Sequence, residues 1–249
     1  MSKVQFRFYE ELNDFLAPGY RGTGFDHQFD RRASIKDMIE ALGVPHTEVE
    51  LILVNGESVD FSYLVHDGDR ISVYPMFESL DISPLLRVRR RPLRRPRFVV
   101  DGHLGRLARY LRLMGFDTLW RNDFRDPELA EISSREERTL LTRDRGLLKR
   151  RIVTHGCYIH HDRPRDQLRE LFARLDLHAL VRPYSRCAHC NGLLQEVDKA
   201  AIAARLAPKT RRYYEHFRQC IDCGQIYWQG SHFTRMHQLV EETVHPRCH

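Results

Sequence analysis

Phe98-Val-Val-Asp-Gly-His-Leu-Gly-Arg-Leu-Ala-Arg-Tyr-Leu-Arg-Leu-Met-Gly-Phe-Asp-Thr-Leu-Trp120 changes its hydrophobic period twice. Phe98 to Val100 is a short apolar run that ends on Asp101, as a buried strand does. From Leu104 the apolar residues recur at helical spacing, through Leu107, Leu111 and Met114, until Gly115 stops the helix. Thr118 to Trp120 is a second strand. The same rhythm continues with a helix from Pro127 to Ser133, a strand from Thr139 to Thr142 and a helix starting at Leu147-Leu148. A fourth strand, Cys157 to Ile159, and a helix from about Arg165 to Leu175 complete it. Strands alternating with helices at this spacing imply βαβ units and a parallel sheet, an α/β fold.

Upstream lies Arg87-Val-Arg-Arg-Arg-Pro-Leu-Arg-Arg-Pro-Arg97, with seven Arg and two Pro. Pro92 and Pro96 forbid a continuous helix, so residues 81–97 form a linker that is either merely solvated or also grips phosphate. Before it, Val4 to Tyr9 alternates as a strand and Gly24 to Phe29 is its hairpin partner. Ser34 caps a helix over Ile35 to Leu42; a strand at Glu50–Val54 runs into an Asn55-Gly56 turn, and Arg70–Tyr74 after Asp67-Gly-Asp69 is a further strand. The order ββαββ within residues 1–80 describes a small α+β roll.

The chain has 249 residues and a net charge of +6, carried by 35 Arg and only 5 Lys. Residues 1–80 hold 7 basic and 14 acidic side chains, a net of −7; residues 81–249 hold 33 and 20, a net of +13. A basic body points to a polyanionic partner, nucleic acid before all, and an acidic head on a flexible tether would restrain that binding. With 42% hydrophobic and 30% charged residues the chain is neither disordered nor membrane-spanning. Its first residues lack the apolar core of a secretory signal, so the expected location is cytoplasmic.

Cys187-Ala-His-Cys190 and Cys220-Ile-Asp-Cys223 are paired knuckles 29 residues apart. Four thiolates complete the tetrahedral shell of structural zinc; the alternative, two disulfides, does not suit a cytoplasmic chain. A helix from Lys199 to Leu206 interrupts the segment between them. Three acids stand at strand or helix boundaries: Asp101 after the first strand, Asp126 before Pro127, and Asp144 in Leu141-Thr-Arg-Asp144. Carboxyl ends of parallel strands share one edge, where acids repel unless they hold a hard cation such as Mg²⁺ or Mn²⁺. That equipment hydrolyses phosphodiesters. Taken singly, Asp126 is also an expected helix N-cap and Asp144 a cap for the following helix. The helix at 104–114 sets Arg106, Arg109 and Arg112 opposite its apolar face. Arg143 and Arg145 flank Asp144, and Arg211 and Arg212 adjoin Tyr213 and Tyr214, so these positions are candidate RNA contacts. Trp228, Gly230 and Ser231, after the second knuckle, are expected to pack the ribbon on the core, with His232 a lesser substrate-contact option; Cys157 is expected to pack in its strand, and Cys248 lies in a tail.

Val99-Val-Asp101, Leu104 to Asp117, Leu140-Leu-Thr-Arg-Asp144, Ser185 to Gly192 and Tyr227-Trp-Gln-Gly-Ser-His232 together resemble the Mut-seven C-terminal RNase family over about residues 97–240. The resemblance implies a PIN-like nuclease domain at 98–182, a zinc ribbon at 183–240 and a tail at 241–249. It further implies that Asp101, Asp126 and Asp144 bind the catalytic metal and that the four Cys bind zinc. The usual helical Glu has no clear counterpart; Glu128 or Asp123 would have to substitute. His66-Asp-Gly-Asp-Arg-Ile-Ser-Val-Tyr-Pro75 makes the head similar to ubiquitin-like, sulfur-carrier β-grasp domains. Sulfur carriers end in a free Gly-Gly, whereas Met76-Phe-Glu-Ser79 runs on, so carrier chemistry is not expected and a binding or autoregulatory module remains. The resulting expectation is a Mg²⁺- or Mn²⁺-dependent ribonuclease. Its rivals are a non-catalytic RNA- or ribosome-binding protein, and an adaptor whose head docks a protein partner.

Overall fold

The computed structural model describes residues 1–75, 87–88 and 96–244. Met76-Phe-Glu-Ser79, most of the Arg/Pro linker and Cys248 lie outside the described residues, as does the side chain of His232. The head consists of β1 (Ser2–Phe8), β2 (Phe25–Phe29), α1 (Ile35–Ala41), β3 (Leu51–Val54), β4 (Glu57–Ser58) and β5 (Arg70–Tyr74). Its sheet runs β2-β1-β5-β3-β4, with β1 and β5 parallel and the other pairs antiparallel, a β-grasp arrangement. Period-two burial of Val4, Phe6 and Phe8 on β1 meets Ile35, Met38 and Ile39 of α1 in one core. The Ser34 hydroxyl accepts from Asp37 N–H at 3.2 Å, the expected cap. Asn55 and Gly56 both take positive φ, 53° and 91°, which a two-residue hairpin turn requires.

After the linker come β6 (Arg97–Val100), α2 (Gly105–Leu113), β7 (Asp117–Trp120), α3 (Asp126–Arg135), β8 (Thr139–Thr142), α4 (Arg145–Leu148), β9 (Gly156–Tyr158) and α5 (Pro164–Leu175). β6 and β7 pair in parallel, and so do β8 and β9, as the βαβ reading requires. The C-terminal part holds β10 (Leu194–Val197), α6 (Lys199–Ile202), α7 (Pro208–Tyr213), β11 (Phe217–Cys220), β12 (Ile226–Trp228) and α8 (Ser231–Val244). β10, β11 and β12 form an antiparallel three-stranded ribbon. The helix expected from Lys199 to Leu206 is shorter: α6 gives way to a 3-10 turn over Ala203–Arg205.

The chain divides into two compact units, residues 1–95 with 125–158 and residues 96–124 with 159–249. Within the first, the head packs against residues 125–158. Buried His46 places Nε2 2.8 Å from the Val153 carbonyl and Nδ1 2.6 Å from Glu40. Lys149 Nζ donates to the Glu40 carbonyl at 2.6 Å, and the Tyr158 N–H donates to buried Glu48. The Arg145 guanidinium lies 4.9 Å from the Phe15 ring centroid and 5.4 Å from that of Tyr158, and donates to the carbonyls of Asp14 and Phe15. Cation–π contact and backbone acceptors thus hold a side chain that sequence assigned to RNA. Gly156 permits this seam: a Cβ there would stand 2.5 Å from Leu148 Cδ2 and 3.3 Å from Thr47 Cβ. Gly156→Ala is expected to lower stability by about 1–3 kcal/mol through overpacking, read in denaturant unfolding. An unchanged midpoint would show that the head does not depend on this approach.

In the second unit, Glu170 of α5 is 6% exposed at its side chain. Burial opposes its charge. The N–H groups of His160 and His161 and both imidazole Nδ1 atoms, at 2.7 and 2.9 Å, outweigh that and hold its pKa at about 2. A carboxyl depressed from the usual 4.5 stabilises the fold above pH 4.5 and loses that contribution as pH falls towards 2. Glu170→Gln is therefore expected to cost about 1–3 kcal/mol at pH 7 and to flatten the acid limb of the stability curve. Urea titrations at pH 7 and pH 3 check both; an equally steep acid limb in the variant would assign the acid loss to other groups.

Candidate functional site

The four knuckle cysteines converge, with their Sγ atoms all within 4.8 Å of one another. Cys187 and Cys223 are 3.7 Å apart and Cys190 and Cys220 3.4 Å. A tetrahedron with metal–sulfur bonds of about 2.3 Å has sulfur–sulfur edges of about 3.8 Å, whereas a disulfide requires about 2.05 Å. The thiols therefore fit a metal ion such as zinc. Each knuckle makes the same turn. Asn191 N–H donates to the Cys187 carbonyl and Gly224 N–H to that of Cys220, with φ of 77° at Asn191 and 69° at Gly224. The residue after the second cysteine of each knuckle must adopt the left-handed conformation, which favours Asn and Gly. Gly192 leaves room for Cys220, whose Sγ would lie 2.8 Å from a Cβ at that position.

The electrostatics also call for a cation. Burial works against the Cys187 thiolate, but the Tyr227 hydroxyl 3.1 Å away and nearby backbone N–H groups bring its pKa down to about 7. Burial and the neighbouring thiols push Cys190 up to about 12. Four anions at this spacing cannot coexist without positive charge between them.

Two residues that sequence did not single out for this purpose join the knuckle to β7. Arg112, read as part of an exposed Arg stripe, is instead 4% exposed. Its Nε donates to Thr118 O at 2.9 Å and its Nη1 to His189 O at 2.6 Å, within the first knuckle. Asn191 accepts from Thr118 N–H at 2.9 Å and donates to Asp117 at 2.8 Å. The helical spacing of Arg106, Arg109 and Arg112 holds, but the knuckle covers the edge of α2 on which Arg112 sits. Arg106 and Arg109 are exposed, as are Arg211 and Arg212 on α7.

The acids are placed as follows. Asp101 is half-buried directly after β6, in the second unit; Asp126 and Asp144 belong to the first. Asp144 does cap α4: Oδ1 accepts from Gly146 N–H at 2.7 Å and Leu147 N–H at 3.3 Å. No hydrogen bond to Oδ2 is present among the described residues, so the cap orients the carboxylate and leaves one oxygen open. Asp126 is not the N-cap expected of it. Arg125 occupies that position with φ −96° and ψ 155°, no side chain caps the helix, and Asp126 is its first residue. Pro127, one position on, has no N–H for a cap to satisfy. The Asp126 carboxylate faces Arg150 at 4.0 Å. Glu128 follows in the first turn of α3, half-buried, and exposed Arg143 precedes Asp144. Asp123 is a poor substitute ligand, because both its oxygens accept from Arg121 at 2.9 Å.

Residues 96–240 match the Mut7-C RNAse domain family. The chain belongs to that family. Residues 1–81 match the Mut7-C ubiquitin family, in agreement with the β-grasp head. SAMP1 from Haloferax volcanii is similar over 31% of this chain and 98% of its own, at 17% identity and a TM-score of 0.25. No curated protein matches the chain. Within this Mut7-C RNAse chain, no helix among the described residues is long and apolar enough to cross a membrane.

Proposed function

We propose that the chain is a cytoplasmic, metal-dependent ribonuclease that hydrolyses RNA phosphodiester bonds. Family membership over residues 96–240 carries this reading. Asp101, Asp126, Asp144 and Glu128 are the proposed catalytic acids, the three aspartates as ligands of Mg²⁺ or Mn²⁺. A carboxylate set of this kind suits a hard cation. When bound, the metal supplies charge neutralisation at the scissile phosphate and an acidified water. The chain's own part is to hold the carboxylates: the α4 cap fixes Asp144 by one oxygen and leaves the other for a ligand. Arg106, Arg109, Arg143, Arg211 and Arg212 position the phosphate backbone. Zinc at the four cysteines is structural, since four protein ligands leave no open position.

The test is incubation of the full chain with mixed cellular RNA, with and without added Mn²⁺. Metal-dependent shortening of the RNA supports the reading. Salt-sensitive binding without cleavage would favour a non-catalytic RNA- or ribosome-binding protein, and absence of both an adaptor.

A further inference from the structure

A groove of about 1600 Å³ lies wholly within the second unit, between α2 and the ribbon with α7. Its walls carry seven cationic and three acidic side chains, so it is positive before any ligand enters. Two of the acids are already paired: Glu215 with Lys199 at 2.5 Å and Glu196 with Arg218 at 3.7 Å. Asp198 is the third. Arg106, Arg109 and Lys209 face the groove with no carboxylate partner among the described residues. Such a surface suits a chain of phosphates.

The same groove exposes rings. Tyr213 is 68% exposed and Trp228 38%, although sequence placed Trp228 in packing. Arg212 stands over the Tyr213 ring, 5.7 Å from its centroid. Gly230 keeps the indole uncrowded: a Cβ there would stand 2.8 Å from Trp228 Nε1. Exposed aromatics beside unpaired cations suit stacking on bases whose phosphates the cations hold. Bases of a duplex are stacked on each other and offer no face to such rings, whereas unpaired bases do.

We propose that this groove binds single-stranded nucleic acid, with Tyr213 and Trp228 stacking on unpaired bases and Arg106, Arg109 and Lys209 on the phosphates. The proposal rests on the reading of the chain as one that acts on RNA, and makes the zinc ribbon and α2 the part that selects unpaired strands. The groove takes RNA in preference to the same sequence as duplex; single-stranded DNA tests whether sugar contacts add to the discrimination.

The experiment is a binding titration of the full zinc-loaded chain, followed by Trp fluorescence and by anisotropy of a labelled RNA of about 12 nucleotides. Added Mg²⁺ and Mn²⁺ are omitted, so that cleavage does not intervene, and no chelator is used, so that the cysteine site keeps its metal. Single-stranded RNA is expected to quench the fluorescence, and Trp228→Phe to remove most of that quenching. Tyr213→Ala is expected to weaken binding about tenfold, the effect of one lost stack. Arg109→Gln should reduce the salt slope by about 0.7. Zinc content and circular dichroism of each variant establish that the fold is retained. Equal affinity for duplex, or unchanged binding in both Tyr213→Ala and Arg109→Gln, would overturn the groove; so would capture of acidic protein but not nucleic acid. The two readings fail separately. Intact cleavage with groove variants that bind normally sinks the groove alone, while groove-dependent binding without Mn²⁺-dependent cleavage sinks the nuclease alone.

Discussion

Asp101→Asn is expected to lower RNA cleavage about a thousandfold, a loss of several kcal/mol of transition-state stabilisation, while RNA binding and folding survive. The substitution keeps the size of the side chain and removes one negative ligand atom. Asp101 follows β6 and makes no side-chain cap to the 3-10 turn after it. Initial rates on a labelled RNA at saturating Mn²⁺ give the number, and added Mn²⁺ should restore activity to metal-depleted wild type only. Asp126→Asn is the cleaner companion. Asp126 caps nothing, so the structural cost is its charge in the first turn of α3, about 0.3–1 kcal/mol, together with the exposed contact to Arg150. Asp144→Asn is less clean, because the anionic cap on Gly146 and Leu147 weakens with it. Normal cleavage by Asp126→Asn would remove it from the ligand set; normal cleavage by Asp101→Asn as well would mean that the acids are misassigned.

Cys220→Ser should unfold the ribbon and loosen β7 with it. Structural zinc contributes about 10–16 kcal/mol of apparent binding free energy in small zinc domains, comparable to the whole stability of a typical fold. The ribbon core offers little to replace that, being built around Ile202, Phe217 and Ile226. The damage should reach β7, because Arg112 and Asn191 tie the first knuckle to Asp117 and Thr118. Metal analysis should fall from one zinc per chain to none, and hydrogen exchange should rise at residues 117–120 as well as 183–230. A variant that keeps native exchange rates without metal would show that packing, not the four-thiolate centre, holds the ribbon.

Much of this molecule follows from local chemistry legible in the chain. The two C-x-x-C knuckles, the period-two β1, the Ser34 cap and the strand–helix–strand at 98–120 depend on residues a few positions apart, so sequence alone determines them. The order of motifs was enough to indicate the family, and the match over 96–240 agrees. What sequence could not decide were the sides of elements that only distant residues cover. Arg112 sits at the edge of the α2 stripe, and it is buried because a knuckle 76 residues away accepts its hydrogen bonds. Arg145 reads as a phosphate contact until Phe15 and Asp14, some 130 residues earlier, engage its guanidinium. Trp228 reads as packing, and the fold leaves 38% of it exposed on a basic groove. An arginine or a tryptophan is equally at home in water, over a ring or against a carbonyl, and which surface meets it is a property of the tertiary structure.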